Sequence, residues 1–112
     1  MKMRFKNTLQ KGSIRYIVFR EENTWYAVGL EFNIVESGDT PREALMLLFE
    51  SIQGYVESAQ KIKARPHILN QKTDSEYETM WQAIQEGKRP SRPVYTAGEM
   101  NLSLKQKDLA FV

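Results

Sequence analysis

Cysteine is absent from these 112 residues, so no disulfide and no thiolate metal site can form. Long apolar runs are missing too. None approaches the roughly 20 residues that cross a bilayer as a helix. The start, Met1-Lys2-Met3-Arg4-Phe5-Lys6, is basic, but no apolar stretch of a secretory signal follows it. The expectation is a cytoplasmic protein with no membrane partner. Charge of one sign is also lacking: 16 Lys and Arg stand against 14 Asp and Glu, a net of +2. Residues 1–59 carry seven basic and eight acidic side chains, and residues 60–112 carry nine and six. The first half is therefore no electrostatic match for a phosphate backbone.

The residues that chemistry would need are equally sparse. Glycine-rich phosphate loops are absent. Ser13, Ser37, Ser51, Ser58, Ser75, Ser91 and Ser103 all lie outside any nucleophile-elbow context. His67 is the only histidine, and it follows Pro66 with no orienting partner close in sequence. The chain is expected to be no enzyme, with no catalytic residue, metal or cofactor.

What is present is pattern. Residues 3–10 alternate weakly, with Met3, Phe5 and Leu9 on one side, and Lys11-Gly12 is a break. Ser13–Arg20 is rich in β-branched and aromatic residues and reads as a strand. Ile14, Tyr16 and Val18 fall on one face of it, Ile17 and Phe19 on the other. Glu21-Glu22-Asn23-Thr24 is a polar turn, with Asn23 suited to the left-handed region. Trp25–Phe32 is the return strand. Its period of two places Tyr26, Val28, Leu30 and Phe32 on a core face. Trp25, Ala27, Gly29 and Glu31 make a small, polar face that another element could approach closely. Asn33–Gly38 is a third, short strand.

Thr40-Pro41-Arg42-Glu43 is a capping box with proline at the first helical position. The spacing of Ala44, Leu45, Leu48, Ile52, Tyr55, Val56 and Ala59 predicts an amphipathic helix over 41–59. Leu47 and Phe49 lie off this stripe and imply either a contact on a second side of the helix or, the favoured reading, a wide buried face. Residues 61–112 form an extension. Lys61-Ile62-Lys63-Ala64-Arg65-Pro66 ends the helix, and Thr73-Asp74-Ser75-Glu76 reads as a second capping box opening a helix over about 74–86, stopped by Gly87. Tyr77, Met80, Trp81 and Ile84 form its apolar stripe. So short a helix is unstable alone, so the stripe must dock on the first domain, on a second copy or on a partner. Pro90 and Pro93 stiffen a loop, and 94–97 can form a strand. Residues 98–112 are poorly patterned. The fold class is α+β: a sheet of three to four antiparallel strands with one long helix on it, and a short C-terminal helix.

The order of these features resembles one family. Tyr16-Ile17-Val18-Phe19 with Glu21-Glu22, then Trp25-Tyr26-Ala27-Val28, then Gly38-Asp39-Thr40 with Glu43-Ala44-Leu45, is similar to the N-terminal domain of HicB-like antitoxins. The likeness covers about half the chain, residues 1–60. It implies a truncated ribonuclease-H-like fold and an antitoxin that masks a small basic HicA-type RNA-cleaving toxin. Family members carry a Pro-Gly turn between the second and third strands. Here Leu30-Glu31-Phe32-Asn33-Ile34 has neither, and Asn33 is expected to take the role of glycine. Many members also carry a DNA-binding module after this domain. The extension has only one convincing helix where a helix-turn-helix needs two, so DNA is the less expected partner. In the ribonuclease-H-like fold the metal-binding carboxylates start from an Asp in the first strand. Ile14–Phe19 holds no carboxylate, so Glu31, Glu36 and Asp39 read as surface charge.

On this reading Glu21, Glu22, Glu31 and Glu36 attract a basic partner and Trp25 anchors it. Two alternatives stay open. One is an orphan relative, a homodimer or higher oligomer docked through Tyr77, Met80, Trp81 and Ile84. The other is weak nucleic-acid binding through Lys61, Lys63, Arg65, Lys88, Arg89 and Arg92.

Overall fold

The apolar alternation of the first half draws the chain into β1 (Lys11–Glu21), β2 (Thr24–Gly29) and β3 (Ile34–Gly38). The long helix α1 (Pro41–Lys61) follows, then a 3₁₀ turn (Pro66–Leu69), the helix α2 (Ser75–Gln85) and β4 (Val94–Ser103). This computed structural model describes residues 6–9 and 11–103. The expected alternation at Met3 and Phe5 and the tail 104–112 lie outside the described residues. The protein is α+β, with one four-stranded antiparallel sheet in the order β3-β2-β1-β4.

Both faces of that sheet are covered. On one face Ile14, Val18 and Ala27 meet Ala44, Leu48, Ile52, Val56 and Ala59 of α1. On the other, Ile17, Phe19, Val28 and Leu30 meet Met80, with Tyr77, Trp81 and Ile84 of α2 packed around them. The small face of β2 is therefore the seat of α1. Its residues are small because the helix sits close: a Cβ on Gly29 would lie 2.9 Å from Ile14 Cδ1 and 3.4 Å from Ile52 Cδ1.

The capping box forms with one change. Thr40 Oγ1 accepts from the Glu43 N–H at 3.1 Å, while Glu43 Oε1 accepts from Asp39 N–H at 2.8 Å rather than from Thr40. At the far end Lys63 adopts φ 51°, and Ala64 N–H returns to Ala59 O at 2.9 Å. That is a Schellman-type ending with lysine where glycine is usual. Phe49 joins the buried side by meeting Tyr16 edge-on at 5.6 Å, whereas Leu47 stays exposed.

Several local expectations are corrected. β2 ends at Gly29, because residues 30–33 turn, and Asn33 takes φ 54°, the glycine role expected of it. The turn resets the alternation, so Phe32 does not share a face with Val28 and Leu30. It crosses to the α1 side and lies 4.8 Å from Tyr55. In the first hairpin the left-handed residue is Glu22, at φ 56°, not Asn23. Asp74, rather than Thr73, is the N-cap of α2, and no side chain caps it. The Glu76 carboxylate that a capping box requires is taken by Arg92. β4 is longer than expected and pairs with β1 over most of its length.

Candidate partner-binding surface

The β1–β2 hairpin brings three of the expected residues to one end of the sheet. Glu21 and Thr24 are paired, which leaves Glu22 and Asn23 as a two-residue tip. Glu21 and Glu22 are exposed there. Trp25 is the second residue of β2, opposite Arg20, whose guanidinium lies over the indole at 5.7 Å. Tyr95 meets the same indole edge-on at 6.1 Å and is 58% exposed. Tyr95 reaches this place through a bulge: Val18 is opposite Thr96 and Phe19 opposite Val94, so Tyr95 has no opposite residue. The result is a tip carrying Glu21 and Glu22, with Arg20 and Arg92 close by, beside a partly exposed aromatic pair.

The other two expected residues sit elsewhere. Glu36 lies on edge strand β3, faces α1 and accepts a hydrogen bond from Ser51 Oγ. Its carboxylate is a clamp between β3 and α1. Glu31 is at the opposite end of the sheet and only 7% exposed, which corrects its place on a partner surface. It is held by Lys6 Nζ at 2.8 Å, Arg15 Nε at 2.7 Å and the Arg15 backbone N–H at 2.8 Å. Burial, the largest single influence, pushes the Glu31 carboxyl upward. The bonds from Lys6 and from Arg15 outweigh it, and the net direction is below the usual value. The same guanidinium grips Glu78 of α2 through two bonds of 3.0 and 2.6 Å and lies over the Trp81 ring at 5.5 Å. Its pKa is raised, first by Glu78, then against burial by Glu31.

The apolar stripe of α2 is corrected as an oligomer surface. Met80 is buried against the chain's own sheet, Tyr77 lies 5.9 Å from Phe19, and Trp81 and Ile84 pack beside them. The docking is intramolecular. Burial, then Glu76 and Asp74, raises the Tyr77 pKa.

The basic residues divide. Arg92 is held by Glu21 and Glu76, with its guanidinium over Phe19 at 5.4 Å, and Lys88 is paired with Glu86 at 3.1 Å. Lys61, Lys63 and Arg65 lie around exposed Ile62 at the end of α1. Among the described residues no three His, Asp or Glu side chains gather into a metal-binding group. Among them, too, no helix is long and apolar enough to cross a membrane.

Sequence reasoning missed the polar residues that tie the segment before β1 to the 3₁₀ turn. Asn7 is fully buried: its Oδ1 accepts from Ser13 N–H at 2.7 Å and its Nδ2 donates to Leu69 O at 2.8 Å. Asn70 exchanges bonds of 2.9 and 2.8 Å with the Asn7 backbone. One signal for Arg15 was available. Alternation places it on the face of Ile17 and Phe19, where a charge needs a partner.

No family model, no curated protein and no solved structure matches this chain.

Proposed function

We propose that the protein is a binding module of the HicB-like antitoxin type, not an enzyme, and that its target is a small basic RNA-cleaving toxin of the HicA type. The observation that carries this reading is the hairpin tip, where exposed Glu21 and Glu22 stand beside the Trp25–Tyr95 pair. Glu21 also holds Arg92, so Glu22 would be the main charge that steers a basic protein and orients its approach. An aromatic pair with one well-exposed member supplies the type of anchor that dominates protein interfaces. β1, β2, β3 and α1, residues 11–61, are the part to which the resemblance, and the truncated ribonuclease-H-like fold it implies, would apply. Arg92 is already compensated by Glu21 and Glu76, which weakens the case for a nucleic-acid site in its loop.

The test is co-expression with the product of the adjacent reading frame, followed by purification and a growth assay. A small basic partner should co-purify and lose its toxicity. Glu22→Lys with Trp25→Ala should release it, with the association rate falling most at low salt. A partner that binds both forms equally, or the lack of any basic partner, sinks the reading.

A further inference from the structure

The two edges of the sheet are unlike. β3 is five residues long, ends at Gly38 and has Glu36 drawn onto α1. It is a blunted edge of the kind that does not recruit another strand. β4 is ten residues long, contains no proline or lysine, and among the described residues has no strand on its outer side. Its one charge, Glu99, is met by Lys6 Nζ at 2.8 Å.

Which backbone groups of β4 are open follows from the ladder. Arg20 N–H donates to Pro93 O at 2.9 Å, whereas Arg15 O accepts from Leu30 N–H at 2.9 Å. Even-numbered residues of β1 therefore bond toward β4 and odd-numbered ones toward β2. Opposite the even set lie Thr96, Gly98 and Met100, whose N–H and C=O groups face β1. Ala97, Glu99 and Asn101 consequently present theirs to the open edge. The bulge at Tyr95 confines regular pairing to the stretch from Thr96 onward.

We infer that this edge is a self-association site at which a second copy of the chain adds its own β4, antiparallel, to make one continuous eight-stranded sheet. The occupant is a second copy because the stretch can pair with itself about a two-fold axis with its apolar residues matched. Outward groups must face outward groups, so the two-fold axis passes through a residue pair rather than between residues. An axis at Glu99 would set two carboxylates opposite each other, which is unfavourable. An axis at Met100 sets Glu99 opposite Asn101 of the second copy and Met100 opposite Met100. It also sets Leu102 opposite Gly98, where the Tyr16 ring already lies: a Cβ on Gly98 would come within 2.8 Å of the Tyr16 hydroxyl oxygen. Half-buried Met100 and Leu102 would thus be covered by apolar neighbours. The assembly does not depend on any toxin.

Because the chain has no cysteine, a single introduced one reports the register cleanly. Opposed residues of a non-hydrogen-bonded pair stand roughly 4.5 Å apart at Cα, within the disulfide range. Met100→Cys should crosslink on mild oxidation. Thr96→Cys, on the same face but remote from its mate, should not. Light scattering should give a dimer mass for the unaltered chain. Asn101→Pro removes only an outward donor and should shift the monomer–dimer midpoint to about tenfold higher concentration, with the circular dichroism spectrum of the monomer retained. A monomeric mass at every concentration overturns the inference. So does a dimer in which Met100→Cys stays uncrosslinked, or a folded Asn101→Pro variant that associates undiminished.

Discussion

Arg15 and Glu31 are joined twice: the Arg15 Nε reaches one carboxylate oxygen at 2.7 Å, and the Arg15 backbone N–H reaches the other at 2.8 Å. The pair ties the middle strand to the turn that ends its neighbour, and through Glu78 it extends to α2. One charged group thus connects β1, the β2–β3 turn and the second helix.

Replacing Glu31 by Ala strands a part-buried backbone N–H and takes one of two carboxylate partners from each of two cations, Arg15 keeping Glu78 and Lys6 keeping Glu99. The expected loss is about 2–3 kcal/mol at neutral pH, read from urea unfolding. Glu31→Gln retains an acceptor and should lose less.

The acid dependence has a definite sign. The folded carboxyl of Glu31 titrates below its ordinary value of 4.5, so its contribution is full above that value and is lost as pH falls through the folded pKa. The stability gap between the unaltered chain and Glu31→Gln should hold steady from neutral pH to the ordinary value and close below it. A gap that widens on acidification would contradict this.

Two glycines should respond in opposite directions. Gly54 is exposed in the middle of α1, and a methyl group added there would find nothing within 4 Å, so Gly54→Ala should add about 1 kcal/mol. A Cβ on Gly38 would lie 2.9 Å from the Ala44 backbone N and 2.7 Å from Glu43 Oε1. Gly38→Ala should cost about 1–3 kcal/mol and shift the thermal midpoint down.

Lys63 ends α1 in the left-handed region, a conformation that costs a side chain roughly 1 kcal/mol. Lys63→Gly relieves it, and a rise of a few tenths to about 1 kcal/mol is expected from chemical denaturation.

Met80→Ala should cost about 2–4 kcal/mol by opening a cavity under α2. Trp81→Ala should lower stability without altering the molecular mass, since the stripe docks on its own sheet. A change of mass in Trp81→Ala would return that stripe to the role of an oligomer contact.

Much of this was readable from pattern. The two faces of β1, the core stripe of α1 and its Thr40 cap follow from period and local chemistry, and each is where alternation puts it. Phe32 escaped because it lies inside the turn at residues 30–33, where the alternation of β2 no longer holds. The cap of α2 escaped because Glu76 is claimed by Arg92, sixteen residues on, and no local rule sees that far. Glu31 looked like surface charge until Arg15 and Lys6 were brought to it by the sheet. β4 showed no alternation because small and polar residues, Thr96, Ala97, Gly98 and Asn101, occupy both of its faces. On the candidate surface, Glu21, Glu22 and Trp25 were legible as a hairpin end. Tyr95 was not, since only the register of β4 brings it there.

The position of β4 and α2 late in the chain sets an order of events during synthesis. As the first 61 residues leave the ribosome they can close the hairpin and lay α1 across it. Ile17, Phe19, Val28 and Leu30 then still face water, and the β4-facing side of β1 is bare. These groups are hidden only when α2 and β4 arrive. Until then the chain carries an uncovered apolar sheet face, the kind of surface that chaperones holding partly made chains bind.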